Sequence, residues 1–355
     1  MTQHSPLRVG VVGLGRSGHG LHLATIRKLP HLFQVVAVAD ADPQRCQDTA
    51  RELGCRAYDG VDALAAADLD LVVVATPSNQ HLAHTCAALA AGRHVLVEKP
   101  VALSVAQIDE LEAAADKAGR LVLAAQNLRF TADFLKVAEV LESGRLGTVF
   151  QINIRRHGFR RRWDWQTMSH LGGGMLNNDA SHVVDQVLAL IDGFTPAVTC
   201  TRVRTPLSLG DAEDHVKIVL TAPGRPVVDL ELSSACAYPQ DQWLIFGTQG
   251  SLQGGASRLQ WRYIDPLVLE DQAASEEPTP DRSYNTETLP WTEQEAAFSQ
   301  ETYDTSHVRL YRHVHEVLRG TAAPVVTLVD VRRQIALLDA CRAAEVTDPT
   351  LEVKP

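Results

Sequence analysis

Two side chains in the 355-residue sequence pair proton-transfer chemistry with surroundings suited to a ligand. Lys99 stands in His94-Val95-Leu96-Val97-Glu98-Lys99-Pro100, and His182 in Gly172-Gly173-Gly174-Met175-Leu176-Asn177-Asn178-Asp179-Ala180-Ser181-His182-Val183-Val184-Asp185. Imidazole takes a hydroxyl proton near neutral pH, and an ammonium aimed at a forming alkoxide stabilises it. Helical spacing sets Asn178, His182 and Asp185 on one face, and three glycines let a flat ring or a sugar come close. A plainer reading competes at each position: Lys99 as a surface lysine at a loop start, His182 as a structural histidine, and Asn177, Asn178 or Asp179 as a helix cap.

Elements must bring these distant stretches together. Residues 95–97 are bulky or β-branched and too few for a helix, so they read as a buried parallel strand. Pro100 cannot extend it and biases Lys99 towards extended backbone. In an open α/β sheet the carboxyl ends of the strands line the ligand crevice, which is where Lys99 falls. Earlier, a strand at Leu7–Val12 runs into Gly13-Leu14-Gly15-Arg16-Ser17-Gly18, then a helical pattern of Leu21, Leu23, Ile26 and Leu29. Glycines at this spacing turn the chain sharply, bring backbone N–H groups against a pyrophosphate and open a helix towards that anion. Gly13, Gly15, Arg16, Ser17 and Gly18 are therefore dinucleotide candidates. The next strand, Phe33–Ala39, ends at Asp40, 22 residues past Gly18. A carboxylate there accepts from ribose hydroxyls and repels a 2′-phosphate, favouring NAD over NADP. Nearby Arg45 blurs that preference, and Asp40 has an alternative as a cap for the turn before a helix at Pro43–Leu53.

The alternation continues with strands at 69–75, up to Glu98 and at 121–125, and helices at 80–91 and Val105–Ala118, which together mean a doubly wound parallel sheet. Thr76-Pro77-Ser78-Asn79 closes one strand on the ligand edge. Thr76, Pro77, Asn79, His81 and Glu98 join the cofactor candidates, with a simple cap for the helix from Gln80 as an equal alternative for the Thr76–Asn79 turn. After a helix at 132–141 strands dominate, at 148–156, 198–204, 216–221, Val227–Ser233 and 244–247. Val228, Leu230 and Leu232 alternate with Asp229, Glu231 and Ser233, the pattern of a largely antiparallel open sheet whose polar face is either solvated or meets a second subunit. Residues 265–306, rich in Glu, Pro, Thr and Ser, read as a lid, an arm or a flexible excursion, and helices at 308–318 and 329–344 follow.

The length predicts two domains, and 45% hydrophobic content suffices for two cores. A net charge of −10 argues against nucleic acid or an anionic membrane as the main partner and favours a small molecule. Six scattered cysteines without a Cys-x-x-Cys pair suggest neither zinc nor a disulfide framework, and His313 and His315 would point apart on a helix, so no metal is expected. With no basic-then-apolar leader and no run of about 18 apolar residues, a soluble cytoplasmic protein is expected.

Taken together, Gly13-x-Gly15-x-x-Gly18, Glu98-Lys99-Pro100 and the triple-glycine passage to His182 resemble the Gfo/Idh/MocA oxidoreductases. The resemblance extends over nearly the whole chain through Thr76-Pro77-Ser78-Asn79, Glu142-Ser143-Gly144-Arg145-Leu146-Gly147 and Gly247-Thr248-Gln249-Gly250-Ser251. It implies an α/β fold with a Rossmann domain over 1–127, and an α/β domain over 128–355 that binds substrate and forms a homodimer or homotetramer through its sheet. It also implies hydride transfer between NAD or NADP and a secondary hydroxyl of a sugar, polyol, inositol or related compound, with Lys99 and His182 catalytic. The aspartate usual four residues before the histidine is Asn178 here, and the usual glycine two before it is Ala180. Asparagine keeps the hydrogen bonds without the charge, so weaker coupling between Lys99 and His182 is expected. Arg160, Trp163 and Trp165 precede the glycines, and Asn127 and Arg129 follow a sheet strand. With Asn178 and Asp179 they complete the expected substrate set, because indole faces suit sugar C–H surfaces and arginine suits a carboxylate or phosphate. A solvated basic loop is the alternative. Two further functions share the architecture: glycosidic-bond cleavage through transient oxidation, and dinucleotide sensing without catalysis.

Overall fold

The computed structural model describes residues 5–277, 279, 283–299 and 302–348. Six parallel strands, β1 (Leu7–Val12), β2 (Phe33–Ala39), β3 (Arg56–Tyr58), β4 (Leu71–Val74), β5 (His94–Val97) and β6 (Val122–Ala124), are ordered β3-β2-β1-β4-β5-β6. The order reverses between β1 and β4, which opens a crevice at their carboxyl ends. The central strands are apolar on both faces because both are covered. Val9, Val11, Leu71, Val73 and Leu96 pack with α1 (Ala24–Ile26) and α2 (Pro43–Leu53). Val72, Val74, Val95 and Val97 meet α3 (Val61–Ala65), α4 (His81–Ala90) and α5 (Val105–Ala118). Local chemistry sets the ends of the helices: the Asp42 carboxylate accepts from the Gln44 and Arg45 amides before α2, and Gly54, at φ 63°, terminates it. The cap of α2 is thus Asp42, which frees Asp40 for another task.

After α6 (Ala132–Glu142) comes β7 (Val149–His157), then α7 (Ser181–Leu190), β8 (Ala197–Val203), β9 (His215–Thr221), β10 (Val227–Ser233), β11 (Trp243–Gly247), β12 (Gly250–Gly255), β13 (Arg258–Tyr263) and β14 (Thr292–Ala297). With β15 (Val346–Thr347) they form a sheet ordered β14-β13-β12-β11-β7-β10-β9-β8-β15, antiparallel except for β7 with β10 and β8 with β15. Val228, Leu230 and Leu232 are fully buried against α6, α7 and α9 (Leu328–Arg342), as their alternation predicts. On the opposite face Arg155, Asp229, Lys217, Glu231 and His157 form an ion-pair ladder across β7, β10 and β9, with contacts of 2.7–3.2 Å.

Several elements escaped the sequence reading. β14 lies inside the expected 265–306 excursion, with a Thr-Glu-Gln-Glu-Ala-Ala sequence poor in strand formers; pairing with β13 makes it a strand, Gln294 Oε1 accepting from Trp261 Nε1 at 2.9 Å. Residues 278, 280–282 and 300–301 of that excursion lie outside the described residues. β3, β12, β13, β15 and α3 were also unread, being short or glycine-rich except for β13. α8 (Thr302–Leu318) departs most from expectation: Leu310, Tyr311, Val314 and Val317 pack with Val9, Leu23 and Phe33 of the first layer. A division at residue 127 therefore leaves a helix of the second part seated on the first sheet. No helix among the described residues is long and apolar enough to cross a membrane.

Candidate active site

The glycine turn is built by two glycines and left open by a third. Gly13 has φ +88°, and a Cβ there would lie 2.6 Å from the Ala75 carbonyl oxygen. One on Gly18 would lie 1.8 Å from the Gly13 carbonyl oxygen. Around Gly15 nothing comes within 4 Å, so its missing side chain keeps space clear for a ligand. Asp40 locks this turn to β2, its Oδ2 accepting from Leu14 N at 2.6 Å and its Oδ1 from Asp42 N at 2.8 Å. Arg45 Nη1 adds a contact to Oδ1 at 3.2 Å.

A cavity of about 1540 Å³ starts at this turn and runs across the carboxyl ends of β1, β4 and β5 to the loop before α7. It exceeds the roughly 300–1,000 Å³ of an ordinary small-molecule pocket and fits a dinucleotide with a second ligand. Gly13, Gly15, Arg16, Ser17, Asp40, Arg45, Thr76, Pro77, His81, Glu98 and Lys99 border it, together with Trp165 and Asn178 from the expected substrate set. His81 braces the wall, its ring nitrogens facing the carbonyl oxygens of Pro100 at 2.7 Å and Thr76 at 2.8 Å. Gly18 lies beneath the turn, and Asn79 is exposed outside the lining.

Lys99 and His182, 83 residues apart in sequence, flank Asn178. Lys99 Nζ donates to the main-chain oxygen of Asn178 at 2.7 Å and to its Oδ1 at 3.1 Å. Gln166 Nε2 donates to the same Oδ1 at 3.2 Å. Asn178 belongs to a π-helical turn, Leu176–Ala180, that leads into α7 and His182. His182 is 5% exposed and stands back from the cavity wall. Its Nδ1 faces Gln126 Oε1 at 3.2 Å. Burial holds the His182 pKa well below the usual histidine value, and the positive charges of Lys99, Arg156 and His307 lower it further. Burial lowers that of Lys99 as well, against the opposing charges of Glu98 and Asp179. The arrangement sets a hydrogen-bond donor, Lys99, on the wall of a dinucleotide-sized cavity, with the imidazole of His182 buried off that lining.

Other expected substrate residues have different partners. Arg129 is buried and donates from Nε and Nη2 to the two oxygens of Asp185, at 2.6 and 3.0 Å. Asn127 donates to Ser306 Oγ at 3.3 Å, away from the cavity. Asp179 accepts from Arg156 Nε at 3.2 Å. Arg160 borders a crevice of about 30 Å³ that shares Gln166 and Asn178 with the main cavity, and Trp163 is 69% exposed. Gln126 and Gln166 were missed in the sequence. Gln126 follows β6 much as Lys99 follows β5, a signal available from the strand pattern; Gln166 carried none.

Comparison with known proteins agrees with this geometry. Residues 7–126 match the sequence model of an oxidoreductase family with an NAD-binding Rossmann fold, and residues 134–253 match the Gfo/Idh/MocA C-terminal domain. An uncharacterized oxidoreductase of Schizosaccharomyces pombe is 31% identical over 258 residues, 70% of each chain. The 2,7-anhydro-N-acetylneuraminate hydratase of Escherichia coli is 28% identical over 254 residues, 70% of this chain and 67% of that one. The WlbA dehydrogenase of Bordetella pertussis, solved with NADH and UDP-GlcNAcA, superposes with a TM-score of 0.78 at 22% identity over 97% of this chain and 96% of that one. A glycine turn at the switch point of a parallel sheet and two family matches in series make this chain a member of the Gfo/Idh/MocA family of NAD(P)-dependent oxidoreductases.

Proposed function

We propose that the enzyme moves a hydride between NAD and a secondary hydroxyl of a sugar, polyol or sugar derivative. The observation that supports this reading is the contact of Lys99, on the cavity wall, with Asn178, four residues before His182. The bound nicotinamide would supply the hydride acceptor. His182 Nε2 takes the hydroxyl proton, and Lys99 Nζ donates to the oxygen as its charge develops. Trp165 borders the same space and offers an indole face to a sugar ring. For the cofactor, Asp40 Oδ1 accepts from Asp42 N and Arg45 Nη1, while Oδ2 accepts from Leu14 N and retains a lone pair for a ribose hydroxyl, and the carboxylate charge opposes a 2′-phosphate. Arg45 offsets part of that charge, so the preference for NAD is a matter of degree. The same reading extends to self-association through the charged outer face of the nine-stranded sheet.

The test is a panel of sugars, inositols and sugar acids, followed at 340 nm with each cofactor. Lys99→Ala and His182→Ala each reduce turnover by about 10²–10⁴-fold while NADH binding, read by fluorescence, stays close to wild type. Near-normal rates in both variants on a true substrate refute the assignment. The hydratase among the relatives supports one other outcome, a redox-neutral cycle, which would consume substrate without accumulating NADH.

A further inference from the structure

Asparagine at position 178 gives Lys99 Nζ two neutral oxygens and no counter-charge. A buried ammonium is costly without one. Of the charged groups around Lys99, Arg156 and Arg16 are cations, and Asp179 already accepts from Arg156. Glu98 remains, 8% exposed on the cavity wall.

Both Glu98 oxygens are held. Oε2 accepts from the Lys99 backbone N–H at 3.1 Å, and Oε1 lies 2.9 Å from His22 Nε2. The His22 ring is fully buried, and its Nδ1 lies 2.8 Å from the equally buried hydroxyl of Tyr311. Burial lifts the Tyr311 pKa well above the usual tyrosine value, so the hydroxyl keeps its proton. A carboxylate only accepts, so the His22 Nε2 that faces Glu98 carries a proton. His22 thus bridges Tyr311 and a carboxylate whose other oxygen accepts from the Lys99 backbone N–H. His81 and His307 are the other titratable groups facing Glu98. Burial alone would raise the Glu98 pKa; the His22 hydrogen bond and the nearby positive charges outweigh it and bring it down to about 2. The chain joins the π-helical turn Gly18–Leu23, the end of β5 and α8, and meets Lys99 only through that residue's backbone N–H.

We propose that the buried Tyr311–His22–Glu98 chain is the counter-charge device of this site: it fixes a carboxylate beside Lys99 and so keeps Lys99 an ammonium where Asn178 contributes no charge. Glu98, His22 and Tyr311 are positioning residues that act through Lys99, and the proposal rests on the reading of Lys99 as the donor to the substrate oxygen. It also accounts for the loss of the aspartate: with the charge supplied from the β5 side, the α7 side needs only an oxygen.

Its test requires no substrate. Competitive acetylation of the full-length protein across a pH series, read by mass spectrometry at Lys99, gives the midpoint of its titration. Glu98→Gln lowers that midpoint by about 1–3 pH units. The double variant Glu98→Gln with Asn178→Asp, which places a carboxylate on the atom now 3.1 Å from Nζ, restores it. An unmoved midpoint in Glu98→Gln, or a fall that Asn178→Asp does not reverse, overturns the proposal. In the wild-type protein, histidine-selective nitrogen NMR finds the His22 Nε2 protonated at pH 7, and a ring protonated only on Nδ1 overturns the proposal even if no variant folds. Failure of every hydroxyl compound to turn over would defeat the functional reading and leave these measurements untouched.

Discussion

His182 is prepared as a base by burial first and by neighbouring positive charge second, and the sign of that preparation is measurable. Its folded pKa lies below the value of about 6.5 expected in the unfolded chain. The folded state therefore binds fewer protons than the unfolded one below that pH, and stability falls as pH drops from 6.5 towards the folded pKa, by up to about 1.4 kcal/mol per pH unit. Other buried histidines such as His81 contribute in the same sense, so the informative quantity is a difference between proteins. His182→Gln narrows the gap in unfolding free energy between pH 7 and pH 5 by about 1 kcal/mol or more, measured by urea denaturation at both pH values. An unchanged gap would mean that His182 is not held neutral. The same burial keeps the ring neutral at neutral pH.

The glycine turn shows that glycines three residues apart answer to different constraints. Gly18 lets the helical turn pack onto the Gly13 carbonyl, while Gly15 faces empty space. Gly18→Ala should lose about 1–3 kcal/mol of stability through overpacking, with the loss visible in thermal unfolding without any ligand. Gly15→Ala should unfold like the wild type and weaken NADH binding about tenfold or more, because its methyl enters the space kept for the cofactor. Equal effects of the two on unfolding would contradict this division. The π-helical turn before α7 sets the second element of the site, presenting both oxygens of Asn178 to Lys99 one turn ahead of His182.

Across the whole molecule, α8 ties the end of the chain to its beginning. Leu310, Tyr311 and Val314 are buried among β1, β2 and α1 residues, and Tyr311 reaches His22 across 289 positions of sequence. Leu310→Ala should cost about 2–5 kcal/mol. Hydrogen exchange should then show lost protection in β1 and β2 before any change in the nine-stranded sheet. Loss confined to that sheet would refute the packing described here. The coupling has a functional side, since α8 contributes to the surroundings of Glu98 and through them to Lys99.

Features specified by a few neighbouring residues were legible in the sequence alone: the glycine turn, the strand ending at Glu98-Lys99-Pro100, the alternation in β10 and the passage carrying Asn178 and His182. Each is local, so spacing and residue type suffice to specify it. Pairings between distant segments were not. Arg129 looked available to a substrate until the fold set Asp185 beside it, 56 positions away, and Asn127 was turned to Ser306, 179 positions away. The polar sequence of β14 became a strand only because β13 offered an edge. Tertiary structure decided these because a polar group buried on folding must find a partner, and which partner it meets depends on how remote elements pack, which no local periodicity encodes.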